Sequence, residues 1–243
     1  MRRIVGYASA ILMMTAAAAA ASEFVVIAAD NGGKAYTPGA VVKAGSKVVL
    51  PAGARITLLA QSGKVVTLKG PHDGVVRAVA RGGSQGTLAA VAKLIASPDK
   101  SKTVGATRVA TNRAGARKPP ADVWVVEADR AGQACTRSDG LQLWRPGSNA
   151  EAKIGVWHKT GDPKRLVWAG GDQSLQLEAA MVEPDMQLSI VSGTRSISII
   201  LAVLPDDVSA KADGKLLQWL AARGCTYQAR KLITRLHGAA ATQ

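Results

Sequence analysis

The chain has 243 residues, 47% of them hydrophobic, and a formal net charge of +14 from 31 Lys and Arg against 17 Asp and Glu. That length allows one or two domains with cores of their own, and the apolar content excludes a disordered polyelectrolyte. Aromatic residues are 4% of the chain with a single Phe, so the charge is not accompanied by the stacking platforms of a single-stranded nucleic-acid binder.

Arg2 and Arg3 precede an uncharged run from Ile4 to Ala21 that ends in an alanine tract. Positive charge, an apolar stretch and small residues before a cut define a secretory signal peptide, here residues 1–21 with cleavage after Ala21. The alternative is a retained anchor over residues 4–21, but its second half is weakly apolar alanine. No Cys lies near the cut, so no lipid anchor is expected. Loss of Arg2 and Arg3 leaves +12, and an exported protein of that charge meets anionic lipid, lipopolysaccharide or polysaccharide rather than nucleic acid. The two cysteines, Cys135 and Cys225, are then expected to form a disulfide. A metal pair or reactive thiol would need a His or second Cys beside one of them, and there is none.

Downstream, short strands and turns follow closely: Phe24 to Asp30, the Asn31-Gly32-Gly33 turn, Lys34 to Thr37, Pro38-Gly39, Ala40 to Ala44 and Gly45-Ser46. Three more strands, Lys47 to Leu50, Arg55 to Ala60 and Val65 to Leu68, are separated by Pro51-Ala52-Gly53 and Gln61-Ser62-Gly63. The order of Pro38-Gly39, Gly45, a strand ending at Leu50, Gly53-Ala54, Ile56 to Leu59, Gly63, Val65 to Leu68 and Gly70-Pro71 resembles the FecR-like periplasmic domain over about Phe24 to Asp73. That resemblance implies a β-rich periplasmic module that contacts a partner and brings no active site.

Gly74 to Arg81 alternates weakly, and Thr87 to Ala96 has Leu88, Val91, Leu94 and Ile95 at helical spacing, with Thr87 as N-cap and Ser97-Pro98 as stop. The run from Lys100 to Pro120 contains Lys100, Lys102, Arg108, Arg113, Arg117 and Lys118 with no acidic residue, and reads as a basic linker. It is either a solvated connection or a contact for an anionic envelope surface, and eleven basic residues against Asp73 and Asp99 between Lys64 and Lys118 hold most of the excess charge.

From Asp122 onward seven segments read as strands: Val123 to Val126, Gly140 to Trp144, Ala152 to His158, Arg165 to Trp168, Leu175 to Glu178, Met186 to Val191 and Ser196 to Leu204. Their glycine and proline turns predict an antiparallel β-sandwich. Trp124, Trp144, Trp157 and Trp168 fall one to a strand, as core and edge packing or as a carbohydrate-stacking face. After Pro205-Asp206-Asp207, with Asp213 as a possible cap, Leu216, Leu217, Leu220, Cys225, Ala229, Leu232 and Leu236 predict a C-terminal helix with a kink or break at Gly224. A Cys135–Cys225 bond would staple it to the sandwich.

The expected organisation is therefore signal peptide 1–21, FecR-like β module 22–81, short helix and basic linker 82–120, antiparallel sandwich 121–205 and C-terminal helix 206–243, a mainly β protein. Gly82-Gly83-Ser84-Gln85-Gly86 fits the G-x-S-x-G turn of serine hydrolases, but the alternating strands and helices that hold such a turn are missing around it. His72, His158 and His237 are far apart in sequence and form no metal-ligand spacing, so neither metal nor cofactor is expected. The expectation is a non-catalytic periplasmic binding or scaffold protein of the envelope or of envelope sensing, without a transmembrane helix in the mature chain. Its partner would be an envelope protein or an anionic surface of lipid, lipopolysaccharide or polysaccharide; the alternative is a secreted hydrolase using Ser84.

Overall fold

A computed structural model describes residues 23–32, 34–77, 85–97, 119–147 and 149–239. The leader, Ser84 and the six cations between Lys100 and Lys118 lie outside the described residues.

The first unit contains β1 (Glu23–Asp30), β2 (Val41–Lys43), β3 (Lys47–Leu50), β4 (Arg55–Ala60), β5 (Val65–Lys69) and β6 (His72–Val75). An antiparallel sheet runs β2-β1-β4-β5, and β3 pairs separately with β6. Alternation along the strands gives the sheet two apolar faces. Phe24, Val26, Ile56 and Leu58 pack with Val42, Val48 and Leu50. Val25, Ile27 and Leu59 point the other way, toward the helices. With both faces covered, β4 is buried from Ile56 to Ala60, which explains its unbroken apolar run. Gly53 and Gly63 turn the chain into and out of β4 with φ of +78° and +85°, values that a side chain would strain. Lys34–Tyr36, expected as extended, is a 3₁₀ turn, and β6 begins at His72 rather than Gly74, where it closes against β3.

The second unit is a sandwich of eight strands rather than seven: β7 (Val125–Glu127), β8 (Gly132–Thr136), β9 (Gly140–Trp144), β10 (Ala152–Trp157), β11 (Lys164–Trp168), β12 (Ser174–Glu178), β13 (Gln187–Ser192) and β14 (Arg195–Val203). A five-stranded sheet, β11-β10-β13-β14-β8, faces a three-stranded one, β12-β9-β7. Most pairings are antiparallel as expected, but β14 with β8 and β7 with β9 run parallel. The added strand β8, Gly-Gln-Ala-Cys-Thr, lacks a strong β pattern of its own and is held by β14. Leu141, Leu143, Ile154, Val156, Trp168, Leu177, Leu188, Ile199 and Leu201 fill the space between the sheets.

Three helices join the two units: α1 (Gln85–Ala96), α2 (Asp213–Ala222) and α3 (Thr226–Ala239). The expected C-terminal helix is thus two helices, broken where Gly224 takes φ +77°. Asp213 stands inside the first turn of α2 and pairs with Arg235 at 2.6 Å rather than capping, and Thr87 lies within α1, which starts at Gln85. Leu88, Val91 and Leu94 of α1, Leu216, Leu217 and Leu220 of α2, and Ala229 and Leu232 of α3 form one cluster with Val25, Ile27 and Leu59 of the first unit and Val123, Cys135 and Ala202 of the second. Both β units therefore share a helical core.

Polar side chains fix that junction. Gln218 of α2 donates to the carbonyls of Ala60 and Gln61, both at 3.1 Å. Gln228 of α3 accepts from Cys135 N at 2.7 Å and donates to Cys135 O and Val123 O at 2.6 and 2.8 Å. It thereby satisfies the free edge of β8, which needs partners once buried. Arg230 of α3 donates to Leu94 O and Ser97 O and caps the C-terminal end of α1. Cys135 and Cys225 are bonded, with Cα atoms 5.9 Å apart, and link β8 to the residue before α3.

Candidate binding surface

The four tryptophans of the sandwich differ in burial and in the side of the strand from which they project. Trp168 is 1% exposed in the core between the sheets, Trp144 is 5% exposed on the side of β9 opposite Leu141 and Leu143, and Trp124 packs against the helical core. Trp157 is 43% exposed on the outer face of β10. The outer edge of its indole lies over Gly155, two residues earlier on the same face: a Cβ added to Gly155 would come within 2.1 Å of Trp157 Cη2 and 2.3 Å of Cζ3. The missing side chain at 155 is the space that the ring occupies.

Register defines the surface around that ring. Gly155 pairs with Arg165 on β11 and Ser189 on β13, and Ser189 with Ser198 on β14. The adjacent row is Val167, Lys153, Val191 and Ser196, and the row through Trp157 continues to Gln187 and Ile200. Gln187 Nε2 donates to Ser198 Oγ at 2.9 Å, which fixes the amide across the face. Val167, Val191 and Ile200 are exposed beside these polar groups. The four strands contain Lys153, Lys164, Arg165 and Arg195 and no carboxylate. Among the described residues, no ion pair involves Lys153, Lys164 or Arg165. Alternation puts Lys153 and Arg165 on the outer face and Lys164 and Arg195 on the other side of their strands, so the outer face is partly apolar and positive.

Two clefts flank the sandwich. One of about 250 Å³ opens at its end between Asp129, Arg145, Trp168, Ser192 and Arg195. Arg145 stacks over Trp168 at 4.5 Å and donates to the carbonyls of Ala150, Ala169 and Asp172, so its charge meets three dipoles and its pKa is pushed down by burial. Trp168 Nε1 and Asp129 Oδ1 are buried there without a hydrogen-bond partner among the described residues. The other cleft, about 270 Å³, lies between β7, β8 and the start of α3. Beside it the buried Glu127 accepts from the Tyr227 hydroxyl, from Arg130 Nε at 2.6 Å and pairs with Lys231 Nζ at 3.3 Å. Burial and the adjacent carboxylate raise the Tyr227 pKa, keeping the phenol protonated as a donor. Glu127 is fully engaged in holding α3 to β7.

A third cluster joins α3 to the first unit. His237 Nδ1 lies 3.0 Å from Thr57 Oγ1 and its Nε2 lies 2.9 Å from Asp30 Oδ2, which also accepts from Arg55 at 2.6 Å. Hydroxyl, imidazole and carboxylate in this order are the connectivity of an activated nucleophile. Thr57 is 0% exposed on the central strand β4, however, so no substrate reaches its hydroxyl and the cluster acts as a latch.

Of the residues singled out from sequence, Cys135 and Cys225 come together, as expected. His72 sits on β6, His158 pairs with Glu183 at 3.1 Å and His237 joins the latch, so the three histidines remain apart. Asp206 and Asp207 are exposed in the connection to α2. Among the described residues there is no group of three metal-ligating side chains, and no helix is long and apolar enough to cross a membrane. Trp157 was legible as one of four strand tryptophans, but its outward position was carried only by the Gly-x-Trp spacing of residues 155 and 157, which puts glycine and ring on one face. No family model matches the sequence, no curated protein is similar to it, and no solved structure matches it.

Proposed function

We propose that the chain is an exported, non-catalytic binding or scaffold protein of the periplasm, with a FecR-like first unit. The observation that carries this reading is the shared helical core: a disulfide, two buried glutamines and one apolar cluster join two β units into a single body while the outer face of the larger sheet stays open. Such construction suits the rigid presentation of a surface. The short strands joined by turns at Gly45, Gly53 and Gly63 support the FecR-like assignment, and the disulfide is compatible with an oxidising compartment. The basic residues Lys100, Lys102, Arg108, Arg113, Arg117 and Lys118 would add a sequence-encoded contact to an anionic envelope surface.

Cell fractionation with N-terminal sequencing tests the reading. The expected product is a periplasmic chain beginning at Ser22. Hydrolysis of a generic ester panel that is lost in Ser84→Ala would overturn it in favour of the hydrolase.

A further inference from the structure

We propose that the outer face of β10, β11, β13 and β14 binds an anionic polysaccharide, with one sugar ring stacked on Trp157. This assignment rests on the reading of the chain as a non-catalytic binding protein and names its ligand class.

Trp157 reaches back along its own strand, and its ring can lie over residue 155 only because that residue has no side chain. The ring covers Gly155, which is half-buried although it stands on an otherwise exposed face. The indole is thus seated on its own strand while Trp157 stays 43% exposed. An open, electron-rich aromatic face complements the C–H face of a pyranose.

The surroundings decide the polarity of the ligand. Arg165 is the cross-strand partner of Gly155, and Lys153 is two residues away on the same face, about 7 Å along β10. Both flank the ring, and neither has a carboxylate partner among the described residues. Ser189, Ser198 and Gln187 offer short hydroxyl and amide groups suited to sugar hydroxyls. A uronic acid ring over Trp157 would direct its carboxylate to Lys153 or Arg165 and its hydroxyls to the serine row. An acidic protein would need shape complementarity to this face, and an apolar lipid chain would have to lie beside Lys153 and Arg165.

The experiment is titration of the purified full chain with polygalacturonate, neutral dextran and mixed phosphatidylcholine–phosphatidylglycerol vesicles, followed by calorimetry. Expected is saturable polygalacturonate binding that about 0.5 M salt weakens, with dextran much weaker. Trp157→Ala should weaken it about tenfold, Trp157→Phe less, and the paired reversal Lys153→Glu with Arg165→Glu at least as much as the alanine variant. Gly155→Ala should act like Trp157→Ala by tipping the ring. Circular dichroism checks each fold, and the variants at exposed Trp157, Lys153 and Arg165 keep the test valid if Gly155→Ala does not fold. Replacing the six cations from Lys100 to Lys118 with Gln should leave the Trp157 dependence intact.

Equal binding by wild type and Trp157→Ala, equal binding of dextran, loss of binding with the six-Gln variant alone, or the same Trp157 dependence on vesicles would each overturn the proposal. If polygalacturonate does not bind while the chain is periplasmic and shows no Ser84-dependent hydrolysis, the ligand assignment falls and the broader reading stands.

Discussion

Asp30 shows how a single exposed residue can report on a distant helix. His237 first, and then Arg55, hold its carboxyl below the ordinary value of 3.8, because both favour the charged form. A lowered folded pKa contributes stability that is present above the unfolded value and lost as pH falls through the folded one. Asp30→Asn should therefore lower the thermal midpoint at pH 7, by about 1 to 2 °C for a half-exposed pair. The difference from wild type should close as the pH is taken below 3.8 in parallel melting curves. Gly214 is a second case, where two effects oppose. Alanine at a helical glycine ordinarily gains up to about 1 kcal/mol. Here its Cβ would fall 1.8 Å from Gly63 O, a backbone atom that no rotamer change can move away, so α2 would have to move off the β4–β5 turn. The clash wins: Gly214→Ala should destabilise by about 1 to 3 kcal/mol in urea unfolding.

Among the elements, β8 and α3 depend most on each other. β8 is an edge strand held by a parallel pairing to β14 on one side and by Gln228 on the other, with Cys135 bonded to Cys225 just before α3. The bond spans 90 residues, and closing a loop of that length removes about 4 to 5 kcal/mol of unfolded-state entropy in the chain model. Cys135→Ala with Cys225→Ala should lower stability by roughly that amount, measured as a shift of the urea midpoint. Helix α1 shows the complementary dependence. Its apolar stripe is short and would be marginal alone, but α2, β1 and the Arg230 cap supply its partners.

At the scale of the molecule, the shared core predicts that both β units unfold together. The first unit contains no Trp between residues 23 and 77, so tryptophan fluorescence reports only the sandwich and α2, whereas hydrogen exchange at Leu58 reports the first sheet. The two probes should give one coincident urea transition. Two separated transitions would show that the helices do not couple the units. This coupling also explains why Val25, Ile27 and Leu59, which would be an exposed apolar face on an isolated module, are buried.

Local chemistry determined much of this protein from sequence alone. Alternating apolar strands, glycine turns and the leucine spacing after Asp213 specify a mainly β chain with a helical C-terminal end, because each is a short-range pattern of backbone conformation and burial. Tertiary structure decided what those patterns join. The parallel placement of β8 and the packing of α1 against β1 and α2 depend on partners tens of residues away. The candidate surface divides in the same way: tryptophans on strands are visible in the sequence, but their outward or inward position depends on register, which one residue of slip reverses. Gly155 under Trp157 is a local spacing with a tertiary meaning, since only the open outer face of the assembled sheet leaves that indole exposed.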